Sequence, residues 1–248
     1  MTPIKPQGTH AMYSRRTFFR TAGVAAAAVA TTSIVRAGEE ACAVFTPDRQ
    51  KDISPDQALQ LLKDGNARFI KGKTVNCDLR AQVKATSGYQ SPFAAIVGCI
   101  DSRVPPELVF DQQLGAVFAA RIAGNFINDD IIGSLEFATK VAGAKAVVIL
   151  GHSECGAIKG AIDHVKLGYL TKMLANIEPA IEAVQGVEGD RKSKNKAFVQ
   201  AVAEKNAILA AKMLTDKSDV LRELVEQKQL VIAAAMRDIS TGEVKFLS

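Results

Sequence analysis

The sequence predicts an α/β fold, a single domain in which a mainly parallel central sheet is flanked by helices. Two observations carry that expectation. Apolar runs without polar alternation, at 93–98 and 146–150, read as strands covered on both faces. Between and around them lie longer stretches with helical spacing, the alternation expected of a sheet wound with helices on its faces. The 248 residues suit one sizeable core, and 48% apolar with 23% charged residues is the balance of a globular protein. That balance excludes a collagen-like repeat and a disordered tail.

The first element is a helix over 55–70. Ser54 precedes it as a cap, Pro55 suits its first turn, Gln57 completes a capping box, and Gly72 lies just past its end. A buried strand follows at 93–98, and 117–122 is a weaker run of the same kind. Helical spacing returns at 130–141 through Ile131, Leu135 and Ala138. Ala146-Val147-Val148-Ile149-Leu150 is the clearest buried strand in the chain. Helical segments fill most of 156–227, broken by a polar stretch at 188–196. A last strand at 230–236 is turned by Ser240-Thr241-Gly242 towards 243–247. No internal repeat or low-complexity linker appears after residue 38, so 38–248 is taken as one domain.

The first 37 residues read differently. They carry Lys5, Arg15, Arg16, Arg20 and Arg36 with no acidic residue, and without them the +5 formal charge of the chain vanishes. A neutral body gives no charge-based reason to expect a nucleic-acid partner. Ser14-Arg15-Arg16-Thr17-Phe18-Phe19-Arg20 runs into fifteen uncharged, mostly small residues at 21–35, too short and weakly apolar for a membrane span of about 20 residues. This resembles a twin-arginine export signal. Cleavage is expected after Ala37, with Ala41-Cys42-Ala43 offering a second place after Ala43, and the mature protein is expected in the periplasm or otherwise exported, free of the membrane. The twin-arginine translocon would be the precursor's partner. It carries proteins already folded, so a thiol-ligated metal can be loaded before the chain meets an oxidising space.

Four cysteines in a chain of this length do not make a disulfide framework and are read singly. Two lie where predicted strands stop: Gly98-Cys99-Ile100-Asp101-Ser102-Arg103 closes one, and Gly151-His152-Ser153-Glu154-Cys155-Gly156 closes the other. In open α/β sheets sites form beyond the carboxyl ends of strands, so these turns can face each other. Cys99, His152 and Cys155 would then offer two thiolates and an imidazole, a zinc set, with Asp101 or water in a fourth position. A nucleophilic Cys99–His152 pair without metal is the alternative for the same residues. Cys42 and Cys77 are candidates for a disulfide after export, and His164 for a surface residue or a proton shuttle.

Cys99-x-Asp101-Ser102-Arg103 followed by His152-x-x-Cys155 resembles the β-class carbonic anhydrases. The similarity extends through Arg103-Val104-Pro105-Pro106-Glu107, residues 121–125, Gly133-Ser134-Leu135-Glu136-Phe137 and Asp238-Ile239-Ser240-Thr241-Gly242, covering most of 50–248. The resemblance implies a β-carbonic-anhydrase-like fold, one Zn²⁺ per chain on Cys99, His152 and Cys155, and reversible hydration of carbon dioxide by zinc-bound hydroxide. Asp101 would either ligate the metal or pair with Arg103 and accept a proton, making these two the catalytic residues and activity pH-dependent. Gln90, the amide of Gly156, Phe118 and Phe137 would contact substrate, the two phenylalanines from a partner subunit. A homodimer or larger homo-oligomer is implied, and no organic cofactor. Hydrolysis of carbon disulfide or carbonyl sulfide on the same fold, and a non-catalytic zinc or thiol protein, are the competing readings. The chain has no Trp, which the bicarbonate-regulated branch of the family uses, and Arg237 stands where the family usually has Tyr.

Overall fold

The computed structural model describes residues 42–247, so the export segment at 1–37 lies outside the described residues. The elements that follow belong to the unit Val44–Ser248. Its sheet has five strands in the order β2-β1-β3-β4-β5. They are β1 (Ala94–Gly98), β2 (Val117–Arg121), β3 (Ala146–His152), β4 (Val231–Arg237) and β5 (Val244–Phe246). The first four are parallel, and β5 returns antiparallel along β4 through the turn at Gly242. The mainly parallel α/β sheet is the fold that the apolar runs predict.

Every residue of β1 and β3 is buried because both faces of the sheet are covered. Ala95, Val97 and Cys99 face one layer with Val147 and Ile149. Phe93, Ala94 and Ile96 face the other with Ala146, Val148 and Leu150. The first layer is closed by α5 (Asp129–Glu136), α6 (Gly156–Ile162), α7 (Gly168–Leu174), α8 (Glu178–Ala183), α9 (Lys196–Lys217) and α10 (Asp219–Glu226). In α9 the buried positions Phe198, Val202, Asn206, Ala210 and Leu214 recur at four-residue intervals, one stripe laid on the sheet.

The second layer is thinner: α1 (Pro47–Asp52), α2 (Pro55–Ile70), α3 (Leu79–Thr86) and α4 (Pro106–Val109). The predicted helix at 55–70 has the predicted capping box, with Ser54 Oγ accepting from Gln57 N–H and Gln57 Oε1 from Ser54 N–H. Gly72 follows in the left-handed region at φ +62°.

Three corrections apply to the element bounds. The helix expected over 130–141 is α-helical only to Glu136, and Phe137–Val141 widens into a π turn in which the Thr139 hydroxyl donates to the Leu135 carbonyl. β3 runs two residues past Leu150, so His152 is the last residue of a strand and not part of a loop. α3 was not among the expected elements; Leu79 and Val83, one helical turn apart, are exposed, and its one buried residue is Gln82.

The chain leaves β1 for β2 on one side and comes back to β3 on the other. The sheet order therefore reverses between β1 and β3, and a crevice opens beyond their carboxyl ends.

Gly65 in α2 lets the helix touch the turn after α4, since a Cβ there would lie 1.7 Å from the Phe110 carbonyl oxygen. Gly65→Ala, which would add about 1 kcal/mol to an exposed helix, is expected to destabilise the protein by about 2 kcal/mol or more, measured by denaturant unfolding.

Candidate metal centre

β1 delivers Cys99 one residue past its last paired position, Gly98. The turn that follows is tied by its own side chain: Asp101 Oδ1 accepts the Arg103 N–H at 2.9 Å and the Asp101 carbonyl accepts the Val104 N–H at 3.0 Å. Pro105 and Pro106 then open α4, which the missing proline N–H groups do not disturb. At the neighbouring strand end, Glu154 adopts φ +58° and folds the chain back so that Cys155 heads α6. Lys159, one turn into that helix, pairs with the Glu154 carboxylate.

These two turns converge. Cys99 Sγ and Cys155 Sγ lie 4.0 Å apart, and the ligand atoms of Cys99, His152 and Cys155 all fall within 4.8 Å of one another. All three side chains are buried. His152 Nδ1 lies 2.9 Å from the Ser153 carbonyl oxygen, an acceptor only, so Nδ1 carries the proton and Nε2 presents its lone pair. That Nε2 is buried and has no hydrogen-bond partner among the described residues. A buried acceptor without a donor is costly unless something else satisfies it.

The thiols make the same demand. The Cys99 thiol is pulled below its ordinary range because the Cys155 thiol donates to it; burial opposes this, and the Gly124 N–H, 3.4 Å from Cys99 Sγ, assists. The Cys155 thiol is pushed up by that shared hydrogen bond and by its own burial. One negative charge is thus shared over two sulfurs, and ionising the second requires a nearby cation. Two sulfurs and a neutral imidazole nitrogen, dry and mutually close, fit a soft divalent ion such as zinc.

Asp101 stands at the rim. Its Oδ2 is 3.9 Å from His152 Nε2, and Arg103 grips the carboxylate through Nε to Oδ1 at 2.9 Å and Nη2 to Oδ2 at 2.7 Å. That guanidinium holds the Asp101 carboxyl well below the usual carboxylate range. The pair's contribution to stability is therefore complete above that range and fades only as pH falls through it.

Of the other expected site residues, Gly156 begins α6 and is exposed beside Cys155, and Gln90 is exposed in the segment before β1. Phe118 and Phe137 meet edge to face at 6.3 Å between centroids and line an open groove of about 710 Å³ along β2 and α5. Cys99, His152 and Cys155 do not line that groove. Cys99 and Cys155 are free thiols. His164 is on the surface, 3.2 Å from Glu178.

Three supporting residues had no assigned role in the sequence reading. Asn206 donates to the Gly124 carbonyl at 2.8 Å and so steadies the N–H that faces Cys99. Its sequence signal was a polar residue in the apolar stripe of α9. Arg121, the last residue of β2, donates to the carbonyls of Cys99 at 2.9 Å and Asp101 at 2.6 Å. Arg237 donates to the carbonyl of Arg103.

Residues 94–244 match the family model described as carbonic anhydrase. A carbonic anhydrase of Mycolicibacterium smegmatis is 37% identical over 134 residues, covering 52% of this chain and 65% of that protein. One from Pseudomonas aeruginosa is 29% identical over 170 residues, covering 66% of this chain and 77% of its own. The crystal structure of the β-carbonic anhydrase CafA of Aspergillus fumigatus superposes with a TM-score of 0.60 at 26% identity, over 78% of this chain and 90% of that one. The chain thus spans just under two thirds of the length of the mycobacterial relative it matches.

The convergence of the three ligands makes a direct prediction. The purified protein should hold about one zinc per chain by elemental analysis, and Cys155→Ala or His152→Ala should lose it, while Ser134→Ala, in the distant groove, should not.

Proposed function

Given that the chain belongs to the carbonic anhydrase family, we propose that it catalyses the reversible hydration of carbon dioxide to bicarbonate and a proton. The observation that carries this reading is the pairing of a buried two-sulfur, one-nitrogen set with a carboxylate held at its rim by an arginine. Metal storage or thiol redox duty has no use for the second part. Cys99, His152 and Cys155 would hold zinc, which when bound supplies a Lewis acid able to turn water into a nucleophile near neutral pH. The bond from His152 Nδ1–H to the Ser153 carbonyl keeps the ring turned so that Nε2 faces the sulfurs.

In this reading Arg103 does two things. Its bidentate grip keeps Asp101 out of the ligand set, and its charge keeps the carboxylate ionised, so that Asp101 acts as a fixed hydrogen-bond acceptor for the attacking water. The amide of Gly156 and the side chain of Gln90 are assigned to substrate and product contacts. Phe118 and Phe137 are assigned to a partner subunit's pocket, in keeping with their place in a groove away from their own chain's ligand set. A homo-oligomer is supported by that groove and by the position of β2 at the edge of the sheet among the described residues.

Export through the twin-arginine route, with removal of residues 1–37, is part of the same reading. It is supported by Arg15-Arg16 and the small-residue run after them. No helix among the described residues is long and apolar enough to cross a membrane.

Stopped-flow hydration of carbon dioxide by the zinc-loaded protein tests the reaction. Asp101→Ala is expected to lower kcat about 100-fold or more with zinc retained; rapid sulfide release from carbon disulfide without carbon dioxide hydration would overturn the assignment. Replacing Arg15 and Arg16 together by Lys should leave the precursor uncleaved in the cytoplasm, as read by fractionation and mass.

A further inference from the structure

Arg237 is a buried cation with no acidic partner, and packing does not account for it. It ends β4 directly beside His152, its register partner on β3. Its side chain is 8% exposed, and among the described residues it makes no ion pair. Its Nε–H has no acceptor, while the guanidinium lies over the Phe69 ring at 5.3 Å. A methionine or leucine would fill this place without the cost of an unsatisfied buried donor. Something other than stability has to justify the arginine.

Its hydrogen bonds supply the reason. Through Nη1 it donates to the carbonyl of Arg103, at the far end of the turn that carries Asp101. Through its own carbonyl it accepts the Ser153 N–H at 2.9 Å, and Ser153 in turn accepts from His152 Nδ1. One residue therefore touches both halves of the site. Arg121 reaches the same turn from β2, on the opposite side, and takes the carbonyls of residues 99 and 101. The turn is held between two strands by two arginine side chains, and the main chain of β4 at residue 237 is hydrogen-bonded to Ser153 beside the histidine.

We propose that Arg237 is a positioning residue that sets the Asp101–Arg103 pair in place over the Cys99, His152 and Cys155 set. This rests on the reading of the site given under Proposed function. The Arg103 side chain is half exposed and is held by Asp101 alone, so its place also depends on how its main chain is anchored. Without the bond from Arg237, the turn loses its anchor at residue 103, Arg103 drifts, and Asp101 leaves the orientation in which both its oxygens are gripped.

The experiment uses Arg237→Met and Arg237→Lys in the full protein, loaded with zinc for kinetics and with cobalt for visible absorption, which reports the metal's ligands. Arg237→Met is expected to keep its metal and its melting temperature, yet to lose about tenfold or more in kcat with KM within about twofold. Its cobalt spectrum should differ from that of the native protein. Arg237→Lys should recover most of both. Native kcat and an unchanged cobalt spectrum in Arg237→Met would overturn the proposal. So would equal losses of kcat and melting temperature in both variants, which would mark a purely structural role. If the native protein hydrates no carbon dioxide, the proposed reaction fails and the cobalt spectra alone decide the role of Arg237. If Arg237→Met does not fold, Arg237→Gln takes its place in the same comparison.

Discussion

Two thiols buried 4.0 Å apart, with an imidazole nitrogen turned towards them and no hydrogen to meet it, set the terms for the rest of the molecule. Left to themselves the sulfurs share one proton, and the nitrogen's lone pair is buried at a loss. A divalent cation resolves both problems at once, because it takes the place of the proton and accepts the lone pair. The surrounding structure is built to keep these three atoms close in a dry place. Gly124 and Asn206 fix the hydrogen bond to Cys99, the Ser153 carbonyl fixes the histidine, and α6 fixes Cys155 at its first turn.

The sheet makes this possible through its topology. Adjacent parallel strands end level with one another, and the order reversal between β1 and β3 leaves the space beyond them free of a crossover connection. Cysteine and histidine can therefore lie at a strand terminus, where the backbone is rigid and side-chain direction is set by the pleat. The neighbouring strands contribute differently. β2 and β4 each end in an arginine, and each arginine is spent on main-chain carbonyls of the turn after β1. Arg103 itself grips Asp101 and keeps its carboxylate ionised.

Charge and packing divide the labour along the chain. Residues 1–37 carry the whole net charge, and the remaining body is neutral overall.

Much of this was legible in the residues. The Ser54 capping box, the continuous apolar runs of β1 and β3, and the two strand-end motifs each depend on neighbours a few positions away, which a linear text records. Local pattern therefore indicated the fold class and offered Cys99, His152 and Cys155 as a possible ligand set, while the pairing of Asp101 with Arg103 came with the family resemblance. It did not find α3, an eight-residue helix whose one buried residue is Gln82, nor the π turn that continues α5, where the Thr139 hydroxyl donates to the Leu135 carbonyl. Above all it left Arg237 without a role. That residue lies 134 positions from the carbonyl it holds, and only the parallel pairing of β4 with β3 brings it beside His152. A hydrogen bond across that separation leaves no spacing to read, because its two ends are joined by the register of the sheet and not by the course of the chain.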